Sequence, residues 1–297
     1  MNRGVASTRI ARQMGGVCMK TARSRPAGAP GPVFTISDLA FQVLWEFLGL
    51  PDMPETLTVS RHGRDQRGMV SKAWSELQRA GLADSAAPHP RLVALLNILA
   101  RPRRAVGARL WLGGPVRAYA AAVGDQAAFG VHVGGYVNVH AVRPEDLARA
   151  PVSLLLEASP GPGCTVSLPN EVIADARFRS IAGPGNRARP RAPRIGSEEA
   201  NWLAETIYGA GDRGEFTAAV IDHMGYSVRD DELVGFFDSP NGRYLIEEYR
   251  AADGRDWTTV EPAHGKMLVE CIERTLLALE GHLMRELGQT NQPALIR

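Results

Sequence analysis

Cysteine is scarce in this chain. Cys18, Cys164 and Cys271 are the three in 297 residues, without paired or metal-ligand spacing. A sparse, odd set excludes a disulfide framework and fits a reducing compartment. Long apolar runs are missing as well: nothing approaches the ~18 consecutive apolar residues of a membrane span. The basic N-terminal stretch lacks the apolar core, about 7–15 residues long, that a secretory signal requires. These absences point to the cytoplasm, with no membrane insertion.

Acidic residues are absent from two segments. Residues 1–33 carry Arg3, Arg9, Arg12, Lys20, Arg23 and Arg25, and residues 176–197 carry Arg177, Arg179, Arg187, Arg189, Arg191 and Arg194, with no Asp or Glu in either. Taking these twelve from the 34 basic residues leaves 22 against 32 acidic ones, so the rest of the chain is near −10 although the net charge is +2. Residues 1–33 have no hydrophobic periodicity and end in Pro26 to Pro32, which reads as a disordered basic extension, with Met14 and Met19 as further possible starts.

Order is expected from Phe34. Ser37 caps a helix with Phe41, Leu44, Trp45 and Leu48 on one face, stopped by Gly49. A short strand from Thr56 to Val59 follows, then helices over Asp65–Ala80 and His89–Ala100. The period then switches to alternation. Arg104–Leu112, Val116–Val123, Ala127–Val133 and Tyr136–Val142 read as four strands joined by turns at Gly113-Gly114, Gly124-Asp125 and Gly134-Gly135. Such an antiparallel meander can leave one face open to a partner. Pro144 opens a helix toward Leu155. After the break at Ser159–Gly163, a helix is expected over Pro169–Ala176, and another from Ser197 to Tyr208. Strands return at Glu215–Asp222, Val234–Asp238, Gly242–Arg250 and Asp256–Val260, with Pro262 in the first turn of a last helix reaching Leu287. The two halves share one plan, closed by Val142-Arg143-Pro144 and Val260-Glu261-Pro262. The organisation is therefore 1–33 extension, 34–158 first half, 159–196 connection and 197–297 second half.

Signs of catalysis are few. Gly209-Ala-Gly-Asp-Arg-Gly214 fits a dinucleotide-binding pattern, but that pattern needs a strand before it and a helix after, and here the order is reversed. No phosphate-loop motif is present. His132 and His140 share a predicted hairpin whose turn pairs His132 with Val137, so they do not converge and no carboxylate completes a zinc site. His62 begins a polar helix. Adjacent carboxylates such as Glu247-Glu248 point to opposite strand faces, where they cannot act on one atom. No catalytic residue, cofactor, metal or small-molecule substrate is assigned, and the chain reads as a non-enzyme.

The segment Val234–Ala263 is the most distinctive. Asp238-x-x-x-Gly242-Arg243-Tyr244-Leu245, then Trp257-Thr-Thr-Val260-x-Pro262-Ala263, resembles the EspG family of type VII secretion-associated proteins in actinobacteria. The likeness extends from Thr35 to Leu279. It includes Asp38-Leu39 to Leu44-Trp45-Glu46, Pro54 to Leu57, His62-Gly63-Arg64, Gly81-Leu82-Ala83, Leu95 to Pro102 and the Pro-Gly-Pro-Gly break before Val166-Ser167-Leu168-Pro169. The resemblance implies an α+β fold, a quasi-twofold duplicated unit whose central antiparallel sheet is flanked by helical bundles. It further implies a cytosolic chaperone that keeps PE–PPE heterodimers soluble by holding the apolar helical tip of the PPE subunit; a WXG-type substrate is an equal possibility.

Candidate partner contacts are Phe236, Phe237, Arg243, Tyr244 and Tyr249, because aromatics and Arg are enriched at interface centres. Alternation places Phe236 and Phe237 on opposite faces, so only one of them can be exposed. Trp45, Trp74 and Trp257 read as core. A rival from another class is nucleic-acid binding through the Arg-rich segments, but these lack a recognisable fold and, Phe178 apart, interleaved aromatics.

Overall fold

The computed structural model describes residues 31–59, 66–85, 87–170, 202, 206, 210–222, 224–225, 227–229, 233–252 and 254–290. The extension over 1–30, His62, the Arg-rich loop and most of the expected 197–208 helix lie outside these residues.

The chain opens with strand β1 (Phe34–Ser37) and helix α1 (Asp38–Phe47). Ser37 ends one and caps the other, its Oγ accepting from the Ala40 N–H at 3.3 Å. Helices α2 (Gln66–Arg79) and α3 (Pro90–Ala100) follow as the periodicity predicts. His89 caps α3 through Nδ1, which accepts from the Arg91 N–H at 3.2 Å. The strand expected at Thr56–Val59 is instead a 3₁₀ turn over Glu55–Leu57. The Leu57 N–H donates to the Pro54 carbonyl at 2.8 Å, and the Leu57 side chain is fully buried. Burying that one side chain against the sheet needs a turn, not an extended segment with no neighbour to pair.

The first meander appears as expected: β2 (Arg104–Trp111), β3 (Pro115–Val123), β4 (Gln126–Val133) and β5 (Tyr136–Val142). The helix expected from Pro144 to Leu155 is broken into a 3₁₀ turn over Pro144–Asp146 and a single turn, α4 (Arg149–Val152). Pro151 stands inside that span without an N–H to continue the ladder. Val166–Pro169 is strand β6, its Val166 and Leu168 alternating inward, and beyond Asn170 the helix expected over Pro169–Ala176 lies outside the described residues. Ser167 and Thr259 join β6 to β11 through their hydroxyls at 2.8 Å.

The second half provides β7 (Arg213–Ile221), β8 (Ser227–Arg229), β9 (Leu233–Ser239), β10 (Gly242–Arg250) and β11 (Asp256–Pro262), then the long helix α5 (Gly265–Thr290). Pro262 is not in the first helical turn. It ends β11 opposite Tyr244, the next N–H, of Ala263, donates to the Arg243 carbonyl at 3.0 Å, and α5 begins two residues later.

The strands form one 11-stranded sheet in the order β1-β5-β4-β3-β2-β7-β9-β10-β11-β6, with β8 on β7. The halves are thus fused, through an antiparallel β2–β7 pairing from Arg104 opposite Val220 to Trp111 opposite Arg213. Gly214 permits this approach, since a Cβ there would stand 2.6 Å from the Arg109 carbonyl oxygen. One sheet face packs on α4 and α5 through Val106, Ala108, Phe216, Ala218, Phe236 and Ile272. The opposite face of the first half is covered by α1 to α3. The opposite face of the second half holds a small cluster of Phe237, Tyr244, Ile246, Val166, Leu168 and Val260, with Trp202 packed on it. Trp45 is buried, whereas Trp74 and Trp257 are half-buried.

Cys271 on α5 is buried, and its thiol donates to Glu247 Oε1 at 2.7 Å. Burial and the Glu247 carboxylate push this thiol up to about 12, so it stays protonated and unreactive at pH 8. Native-state alkylation at pH 8, read by peptide mass spectrometry, should modify exposed Cys164 and spare Cys271 until denaturant is added. Equal labelling of both in the native protein would contradict this packing.

Candidate functional site

Four of the five expected partner contacts lie inside the protein. Phe236, Arg243 and Tyr244 are each 1% exposed and Phe237 is 4% exposed, while Tyr249 is half-buried. The expectation that one of Phe236 and Phe237 faces outward is corrected by the coverage of both sheet faces: Phe236 packs toward α5, and Phe237 stacks on Tyr244 with ring centroids 5.1 Å apart.

These residues build a lock. Arg243 opens β10, directs Nε and Nη2 to the two carboxylate oxygens of Asp238 at 2.7 and 2.8 Å, and donates through Nη2 to the Leu156 carbonyl at 2.9 Å. Its guanidinium carbon also lies 5.2 Å from the Phe236 ring centroid. Its backbone N–H donates to the Ser159 carbonyl at 2.9 Å, and its own carbonyl accepts from Gly161 at 3.0 Å. The Tyr244 hydroxyl donates to the Pro162 carbonyl at 2.8 Å, and a Cβ on Gly161 would stand 2.2 Å from Tyr244 Cζ. The Pro-Gly-Pro-Gly break and the Asp-x-x-x-Gly-Arg-Tyr segment, 80 residues apart in the chain, are therefore two sides of one joint. That arrangement explains their residue types without invoking a partner.

A different place is open. On the face opposite α5, between the cover over the first half and the cluster under Trp202, a cleft of about 690 Å³ runs over the central strands. Alternation sets its floor: Ala105, Gly107 and Arg109 from β2, Tyr119 from β3, Glu215 and Thr217 from β7. One wall is the Pro54–Thr56 turn with the Leu99–Arg103 connection, and the other is the loop carrying Asp222 and Met224, the latter 70% exposed. Arg109 lies across the floor, its Nη1 3.2 Å from Glu215 Oε1 and its Nη2 bonded to Glu55. Beyond Arg109 on the same face, half-exposed Trp111 is covered by Arg213 at 5.6 Å. None of these residues stood out from spacing. Their signal is the polar alternation Gly107-Arg109-Trp111 and Arg213-Glu215-Thr217, but it acquires meaning only once β2 is known to pair with β7.

Among the described residues no group of three or more His, Cys, Asp and Glu side chains is placed to hold a metal ion. No helix there is long and apolar enough to cross a membrane. His132 pairs opposite Val137 and His140 opposite Phe129, so the two histidines do not converge. His132 Nε2 instead lies 2.9 Å from Asp38 Oδ1 at the start of α1, while burial lowers the His140 pKa.

Arg243→Met should destabilise the fold by about 3–5 kcal/mol in urea unfolding, because it leaves the Asp238 carboxylate and the Leu156 carbonyl without the guanidinium. Adding Asp238→Leu should recover part of that loss. A single variant as stable as the parent would show that the joint is not held by this ion pair.

The EspG family's sequence profile matches residues 37–274. No curated protein matches. Among solved structures, one of the Mycobacterium tuberculosis type VII secretion system chaperone EspG5, in complex with a PE25-PPE41 dimer, matches with a TM-score of 0.62 and 17% identity. It covers 83% of this chain and 96% of that one. The structural likeness establishes a shared fold, and the profile spans far more than half of the 297 residues: the chain belongs to the EspG family.

Proposed function

We propose that this protein is a cytosolic chaperone of type VII secretion that binds the apolar helical tip of a PPE-like subunit and keeps the PE–PPE substrate soluble before export. Family membership and the likeness to a chaperone solved with a PE25-PPE41 dimer support this reading. The observation that carries it is the cleft over β2 and β7, a strip of sheet face that the described helices leave uncovered.

An exposed apolar tip is adhesive in water. Covering it removes roughly 25 cal/mol per Å² of apolar surface from solvent, and an interface of standard size buries about 800 Å² on each partner. The cleft suits such a tip: Tyr119 and Thr217 are accessible on its floor, and Arg109, Glu55 and Glu215 orient the guest from the rim. The chemistry is binding without turnover, which needs no cofactor or metal. The contact set moves from Phe236, Phe237, Arg243 and Tyr244 to this floor, with Tyr249 outside it.

A quasi-twofold duplication also belongs to the proposal. It is supported by the strand order, in which β1-β5-β4-β3-β2 is answered by β6-β11-β10-β9-β7 about the central pairing. The halves 34–158 and 197–297 would then be copies of one unit, with the cleft on the line between them.

The test is to co-express the chain with each PE–PPE pair of its own genome and to follow complex formation by size exclusion and calorimetry. At least one pair should co-elute as a complex. Thr217→Trp, at an exposed floor position, should weaken that complex about 100-fold while the melting temperature stays near the parent's, as surface changes usually allow. Failure of every pair to bind, or full binding by the Trp variant, would defeat this reading.

A further inference from the structure

A row of charges crosses the open strip, and it does not balance. Cross-strand pairing sets Glu215 of β7 opposite Arg109 of β2, Arg109 opposite Arg117 of β3, and Arg117 opposite His132 of β4. All four side chains stand on the face opposite α5, since Ala108, Leu110, Val116, Ala118, Val131 and Phe216 beside them turn into the α5 core. Three of the four are matched. Arg109 is bonded to Glu55 and lies 3.2 Å from Glu215 Oε1, and His132 Nε2 lies 2.9 Å from Asp38 Oδ1. Arg117 is half-buried, and its guanidinium has no hydrogen bond or ion pair with any described residue.

Such a position works against the fold. Like charges directly opposite on a sheet repel, and a cation partly withdrawn from water without a counter-charge is costly. The unmatched guanidinium also adjoins the cleft, because Tyr119, two residues along the same face of β3, is on the cleft floor. At the other end of this corner is Trp111, 46% exposed. It pairs with Pro115 and is thus a diagonal neighbour of Arg117, roughly 7–8 Å away. Arg213, the other cation here, is exposed to water; its Nη1 donates to the Gly211 carbonyl at 3.2 Å, and its guanidinium covers the Trp111 ring.

We infer that Arg117 receives one carboxylate side chain, Asp or Glu, on the tip of the partner, with Trp111 seating an apolar residue next to it. The inference rests on the cleft region being the partner's site. A guanidinium offers parallel N–H donors that match a carboxylate, and Arg and Trp dominate interface hot spots once water is excluded. The matched state of Arg109 and His132 favours a guest of one negative charge. A polyanion such as nucleic acid would meet Glu55, Glu215 and Asp38 along the same row. The pair would fix the register of the tip, because a carboxylate over Arg117 and an apolar side chain over Trp111 define one orientation.

The test uses the full chain and the PE–PPE pair that binds it, with affinity read by calorimetry. Arg117→Met keeps the apolar stem and removes the charge. It should weaken the complex at least about tenfold, the size expected for a hydrogen bond to a charged group, and Arg117→Glu should weaken it further. Changing each Asp and Glu of the tip to Ala should find one whose loss costs nothing more once Arg117 is Met. Lys at that place should recover binding to Arg117→Glu. The melting temperature of Arg117→Met should equal or exceed the parent's, because repulsion from Arg109 has been removed. Both Arg117 variants binding like the parent while Thr217→Trp does not would overturn the carboxylate receptor and leave the cleft as the binding site. If all three bind like the parent, both proposals fall. The receptor is also overturned if no acidic residue of the tip couples to Arg117, or if Arg117→Met abolishes salt-sensitive binding of DNA or RNA. An Arg117→Met protein that melts several degrees lower would overturn it too, by showing that the guanidinium serves the fold itself.

Discussion

The antiparallel pairing of β2 with β7 is the constraint on which the rest of the structure depends. It converts two meanders of about five strands each into a single sheet and aligns Arg104–Trp111 with Arg213–Val220. That alignment is enforced from both faces. Toward α5, Val106, Ala108, Phe216 and Ala218 fill one continuous core, so a slip of one residue would turn apolar side chains to water. Within the pairing, Gly214 leaves no side chain between the two backbones. A central joint between segments 100 residues apart carries a large loop-closure entropy, and the long helix α5 offsets it by packing across β7, β8 and β9 together.

The same joint creates the cleft. Each half brings its own cover for the face opposite α5, and at the joint these covers separate. What lies beneath them is strand surface with polar side chains, Arg109, Glu215 and Thr217. Sheet surface of this kind is stable in water because its charged members neutralise one another through Arg109. The buried face holds the sheet together.

The Arg243 joint shows how a distinctive motif can be structural. Arg, Tyr and Phe are residues common at interfaces, yet here they are used to seal the chain's own Pro-Gly-Pro-Gly break against β10. A guanidinium that serves a carboxylate and a carbonyl while 1% exposed belongs to the chain's own interior. A distinctive sequence segment marks what must be built correctly, and that is not always what touches a partner.

Local chemistry was legible where neighbours in the chain decide the outcome. Ser37 as a cap, the Gly113-Gly114, Gly124-Asp125 and Gly134-Gly135 turns, and the first meander all follow from turn and capping preferences within a few residues. Misread elements were those settled by distant contacts. Glu55–Leu57 became a turn because Leu57 is buried against the sheet; Pro262 stayed in β11 because Tyr244 lies opposite. The α+β class, the hairpins and the family were all readable in local pattern. That Phe237 and Arg243 are buried, and that Arg109, Glu215 and Thr217 meet on one side of the sheet, came from the tertiary structure. Burial and convergence depend on which strands become neighbours, and that is a property of the whole sheet and of no single segment.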